Sequence, residues 1–104
     1  MKAIIDRKVY NTETAEYISG WSNDMSTSDF GYTEEQLFRT PKGKFFTVGK
    51  GGPASGYAKP VAGGMSGSSN NFRVLSEKEA YEWLESRQET GLIEKLFPDY
   101  IEEA

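Results

Sequence analysis

The spacing of apolar and polar residues changes period several times along the chain. Near the start, Ala3-Ile4-Ile5 and Lys8-Val9-Tyr10 flank the polar pair Asp6-Arg7. Two short apolar runs around two polar residues predict a small strand or hairpin. Over residues 11–20 the cues are helical. Asn11 or Thr12 suits an N-cap, Glu13 suits the positive end of a helix dipole, and Ala15 and Ile18 share a face. Gly20 offers a stop, so the pattern predicts about two helical turns, stable only when docked. Residues 21–31 are rich in Ser, Asn and Asp and read as a loop, with Trp21 and Phe30 anchoring its ends.

Residues 32–48 form the clearest hairpin pattern. A strand-like run ending in Leu37-Phe38-Arg39-Thr40 leads into Pro41-Lys42-Gly43-Lys44, and Phe45-Phe46-Thr47-Val48 returns. Proline presets φ early in the turn and Gly43 supplies a positive φ. Alternation puts Leu37 with Arg39 on one face and Phe38 with Gln36 on the other, and predicts one packed face and one partly open face. Phe72-Arg73-Val74-Leu75 reads as another strand. Ser76-Glu77-Lys78-Glu79 is a capping box, and Ala80, Trp83 and Leu84 follow at helical spacing. The predicted helix covers residues 76–88 and ends near Thr90-Gly91, with Gly91 as the C′ residue. Leu92, Ile93, Leu96 and Phe97 form a second short apolar face stopped by Pro98.

Together these elements predict an α+β fold in one domain, residues 1–104. A small antiparallel sheet of three or four strands, with a central hairpin, carries two or three short helices on one face. The expected buried residues are Trp21, Phe30, Leu37, Phe46, Val48, Val74, Ala80, Trp83 and Leu84. An apolar fraction of 37% is low, but two Trp, six Tyr and six Phe can supply an aromatic core.

Between the hairpin and the next strand lies a glycine-rich stretch, residues 49–71, that holds seven of the eleven glycines. It tests poorly as a phosphate cradle. Gly51 follows Lys50 where a P-loop needs Ser or Thr, and the G-x-G-x-x-A run starting at Gly49 is broken by Pro53 with no helix behind it. The stretch reads instead as a long surface loop, either a plain crossover or a binding loop that offers Tyr57 and Met65 to a partner.

The chain has no Cys and no His. That removes disulfides, thiolate metal sites and the usual Ser-His or Cys-His hydrolase machinery. No cofactor or metal is expected, and the chain is expected not to be an enzyme. Glu34 and Glu35 are the best carboxylate pair, yet neighbours on a strand point to opposite faces. No run is apolar enough to span a membrane and no secretory leader is recognisable, so a cytoplasmic location is expected.

The net charge of −4 conceals a strong asymmetry: residues 1–35 carry −4, residues 36–76 carry +6 with no acid, and residues 77–104 carry −6. Two candidate binding surfaces follow. The first is basic and lies on the hairpin and loop: Arg39, Lys42, Lys44, Lys50 and Tyr57. Cations beside Phe45 and Phe46 are the make-up of a nucleic-acid contact, although the phenylalanines also suit a core. The second is acidic: Glu82, Glu85 and Glu89 along one outward stripe of the last helix. Such a stripe can mimic a phosphate backbone toward a basic protein channel, or can simply be a solvated face.

The runs KVYNTETAEYI, SDFGYTEEQLFRTPKGKFFTVGKGG and LSEKEAYEWLE cover most of the chain. They resemble a group of small proteins carried by phages and mobile elements in Firmicutes and related gut bacteria. The resemblance lies at positions 8–15, 37–46 and 49–52 and in the last helix, and the group has no established activity. It implies accessory genes of mobile DNA, a setting in which small acidic proteins often inhibit host defence, as anti-CRISPR proteins do. The partner this setting implies is a larger host protein, with a CRISPR effector as one candidate. The alternative is a small nucleic-acid-binding accessory protein that uses the basic hairpin. Oligomeric state, and whether the glycine-rich loop is ordered, stay open at this level.

Overall fold

The computed structural model describes residues 1–26, 28–55 and 57–104. Thr27, inside the expected loop, and Gly56, inside the glycine-rich stretch, lie outside the described residues. The fold is mixed α+β and strand-rich, as expected. Its centre is a four-stranded antiparallel sheet of β3 (Glu16–Ser22), β4 (Thr33–Arg39), β5 (Phe45–Gly51) and β8 (Ser68–Leu75), in the order β3-β4-β5-β8. Two small hairpins join it: β1 (Lys2–Ile5) with β2 (Lys8–Asn11), and β6 (Lys59–Val61) with β7 (Gly64–Ser66). Helices α1 (Glu77–Ser86) and α2 (Thr90–Leu96) follow the sheet, then a short 3-10 turn, Pro98–Tyr100.

The hairpin over residues 32–48 forms as its pattern predicts, with Phe38 opposite Phe46 and Arg39 opposite Phe45. Gly43 takes φ +85 in the turn. The capping box on α1 also forms: Ser76 Oγ accepts the Glu79 N–H at 3.1 Å and the Glu79 carboxylate accepts the Ser76 N–H at 2.9 Å. Leu75 and Ala80, on either side of the cap, are both buried.

Burial differs from expectation on one point of principle, because both faces of the sheet are covered. On one face Leu37, Phe45 and Leu75 pack against Ala80, Trp83, Leu84, Ile93 and Phe97 of the helical segment. On the other, Phe38, Phe46 and Val48 pack with Tyr10 of the β1–β2 hairpin, and Phe46 stacks between Phe38 and Phe72 at 5.2 and 5.7 Å. Every residue from Phe45 to Gly49 is consequently buried, so β5 is the spine of the molecule.

Four local expectations fail for identifiable reasons. Residues 11–20 are not a helix. Asn11 does start a turn, its carbonyl accepting the N–H groups of Thr14 and Ala15, but β3 begins at Glu16. The run Tyr17-Ile18 favours a strand, and pairing with β4 satisfies far more of its backbone than two isolated helical turns would. A bulge between Tyr17 and Ser19 hid the strand alternation. The glycine-rich stretch is not one long loop, since β5 extends to Gly51, β8 starts at Ser68, and β6 and β7 lie between them. Helix α1 stops at Ser86, not near Gly91: Gln88 takes φ +58, and the N–H groups of Gln88 and Glu89 bond the carbonyls of Glu85 and Leu84. That is a Schellman closure with Gln where Gly is usual. Finally, Phe30 is 72% exposed, Val74 is 37% exposed at the sheet edge, and Trp21 is only half-buried.

Among the described residues, no helix is long and apolar enough to cross a membrane.

The bond from the Ser76 N–H holds the Glu79 carboxyl below its ordinary 4.5. A carboxyl with a lower pKa in the folded state adds stability above its unfolded value. That contribution disappears as pH falls from about 4.5 through the folded value. In denaturant titrations between about pH 7 and about pH 3, Glu79→Gln is expected to flatten part of the acid decline seen in the parent.

Candidate functional site

The helix-covered face of the sheet changes character along its length. Its Leu37 and Phe45 end is apolar. Two residues before Leu37, on the same face, strand alternation places Glu35, a buried carboxylate. Such a group is tolerated only when fully hydrogen-bonded. Glu35 Oε1 accepts the Arg87 guanidinium at 2.6 Å and the Trp83 indole N–H at 3.2 Å, and Oε2 accepts the Tyr57 hydroxyl. The three donors come from α1, from its C-cap residue, and from the glycine-rich stretch.

Arg87 lies between two indoles, its guanidinium carbon 4.2 Å from the Trp83 ring centroid and 4.7 Å from that of Trp21. Its Nη1 also donates to Ser86 Oγ at 2.8 Å and to the Trp83 carbonyl at 3.3 Å. Burial lowers the pKa of Arg87 and Glu35 opposes that shift, so the guanidinium stays charged. Burial, and then the bond to Glu35, push the Tyr57 hydroxyl far above its ordinary range. This centre joins β3, β4, α1 and the glycine-rich stretch. Both Glu35 oxygens are taken by these donors. Among the described residues, no cluster of three or more carboxylates could hold a metal ion.

Tyr57 is therefore not an exposed contact residue as expected: it is half-buried, with its hydroxyl spent inside the molecule. Its ring lies over Gly49, where a Cβ would collide with it. Its carbonyl accepts the Ser68 hydroxyl, and Asn71 Nδ2 bridges Ser68 Oγ and the Gly49 carbonyl, each at 3.0 Å. The glycine-rich stretch is thus pinned at its base and free at its tip.

The basic candidates do not act as one group. Arg39 pairs with Glu16 at 3.0 Å and Lys50 pairs with Glu34 at 3.2 Å. The Glu34 carboxyl is held below its usual range, chiefly by the Tyr32 hydroxyl and further by Lys50. Lys42 and Lys44 remain exposed in the β4–β5 turn, where Arg7 and Lys8 join them from the β1–β2 hairpin.

The acidic stripe is also shorter than expected. Glu82 is exposed on α1, and Glu85 accepts the Tyr81 hydroxyl at 2.6 Å. Glu89 lies past the end of α1, precedes α2 as its N-cap residue, and accepts the Ser19 hydroxyl at 3.0 Å. Sequence reasoning missed Arg87, Trp83 and Tyr57 as donors to Glu35, and Trp21 as the second ring on Arg87. The usable signal was Glu35 in register with buried Leu37, together with Arg87 four residues after Trp83.

No family model, curated protein or solved structure matches this chain.

Removing Glu35 strands a desolvated guanidinium, so Glu35→Ala is expected to destabilise the fold by about 3 kcal/mol in urea titration. Tyr57→Phe removes one hydrogen bond and is expected to cost only about 1 kcal/mol globally. Its effect should concentrate in faster hydrogen exchange over residues 57–68.

Proposed function

We propose that this chain is a non-enzymatic protein-binding module of a phage or mobile element. In this reading it works in the cytoplasm as an anti-defence inhibitor of the anti-CRISPR kind, bound to a nucleic-acid-handling effector. The carrying observation is the β6–β7 hairpin. All six of its strand residues are exposed, including Val61 and Met65 at 52% each, yet its base is held by the bonds of Tyr57 and Ser68. An apolar-tipped arm on a fixed base loses little conformational freedom on binding, which favours insertion into a groove of a larger protein.

The overall shape supports the same reading. The chain measures 50 × 36 × 19 Å with a radius of gyration of 15.1 Å, against about 13 Å for a compact domain of this size. It is a thin plate with projecting hairpins, better suited to contact than to enclosing a substrate. The mobile-element setting rests on the resemblance at positions 8–15, 37–46 and 49–52 and in the last helix. The alternative, nucleic-acid binding through Arg39, Lys42, Lys44 and Lys50, loses support because Arg39 and Lys50 are already paired with carboxylates.

The test is a nuclease-treated pull-down from a host that carries an active defence system, coupled to a plaque assay in that host. The parent chain is expected to retain a protein partner and to raise phage yield. Val61→Asp with Met65→Asp is expected to abolish both while leaving the melting temperature unchanged. If the parent binds nothing after nuclease treatment, or if the double variant binds and protects as well as the parent, the reading fails.

A further inference from the structure

Two turns meet at one end of the sheet and enclose a hollow of about 400 Å³. Arg7 and Lys8 reach it from the β1–β2 hairpin, Lys42 and Lys44 from the β4–β5 turn, and Val9 and Pro41 give it an apolar wall. No carboxylate lines it, and none of the four cations forms an ion pair among the described residues. Asp6 and Arg7 sit at φ +52 and +66, the left-handed pair of a two-residue hairpin turn that favours Asn and Gly. An arginine there carries backbone strain, and it keeps a cation at the rim.

The complementary chemistry lies on the same chain. Residues 101–104, Ile-Glu-Glu-Ala, have no regular structure and are exposed throughout, with Ile101 at 40%. They leave from Tyr100, which is anchored by stacking on Tyr81 at 5.2 Å. Asp99 and Tyr100 border a second hollow together with Gly43, in the same turn that carries Lys42 and Lys44. Segment and groove therefore sit at one end of the molecule, on opposite sides of one turn. A two-fold arrangement of two copies can satisfy both at once.

We propose that two copies of the chain associate by exchange, residues 101–104 of each lying in the basic groove of the other. Glu102 and Glu103 meet the four cations, and Ile101 covers Val9 and Pro41. Each contact is small, so the dimer is weak, and its exposed charge pairs make it salt-sensitive. The groove suits a peptide better than a nucleic-acid strand. Its one aromatic, Tyr10, is only 4% exposed and offers no face for a base to stack on.

The deciding measurement is analytical ultracentrifugation of the full chain over a wide concentration range, at low and high salt, with decathymidylate as competitor. The parent is expected to shift toward dimer with concentration, less so in high salt, and not to be dissociated by the oligonucleotide. K42E/K44E and E102K/E103K are each expected to weaken the dimer by about tenfold or more. Combining all four changes in one chain should restore it, which separates lost attraction from lost folding. A monomer at every concentration, or a dimer indifferent to either reversal, overturns the proposal. So does decathymidylate binding by a monomer that is lost in K42E/K44E.

Discussion

The structure turns on the Glu35 carboxylate. A charge on the buried face of a sheet strand is stable only when every strong acceptor site is met, and here each donor arrives from a different part of the chain. Arg87 reaches it only because α1 closes one residue later, and Trp83 only because the capping box sets the phase of α1. Tyr57 reaches it only because the chain before β6 folds back over Gly49. The cluster thus fixes register among segments that apolar packing alone would let slide. The two indoles on Arg87 add area burial and cation–π attraction to what would otherwise be a costly desolvated pair.

The same cluster explains the glycines that first suggested a phosphate loop. At Gly49 the reason is contact distance: the Tyr57 ring occupies the space a side chain would need. Gly67 approaches the Gly51 carbonyl within 2.5 Å of where its Cβ would be, so strands β5 and β8 meet there backbone to backbone. A composition that resembles an anion cradle is instead what lets a returning segment lie flat on a sheet. The hairpin beyond that segment can then project while its base stays fixed.

Much of this was legible in the sequence wherever one signal dominated. The hairpin around Gly43, the capping box at Ser76 and the strand at Phe72 all carry local chemistry that tertiary contacts reinforce. The misread segments are those where a local cue competed with a distant one. Asn11 is a true turn starter, but the pairing of Tyr17 with Phe38 lies beyond any local window. Gln88 closes a helix in place of glycine, and the next residue, Glu89, is held by Ser19, seventy residues away in sequence. The second covered face was not legible either, since Phe38 and Phe46 look the same in sequence whether they face solvent, a partner or the β1–β2 hairpin. For the site, Glu35 stood out as a carboxylate but its three donors did not, because hydrogen-bond partners scattered over fifty residues leave no spacing to read.

With both sheet faces closed and the buried carboxylate saturated, the middle of the molecule is committed to stability. Charge follows the same division: Arg39, Lys50 and Arg87 are neutralised within the sheet and its cover, whereas Lys42 and Lys44 sit in a turn and Glu82 on an outer helix face. Apolar exposure follows it too, with Ile4 and Val9 on one hairpin and Val61 and Met65 on the other. None of these residues belongs to either core cluster of the two-sided sheet. The exposed apolar and unpaired charged side chains discussed above therefore lie mainly on turns, hairpins and the outer helix face, and the central network holds those elements in place.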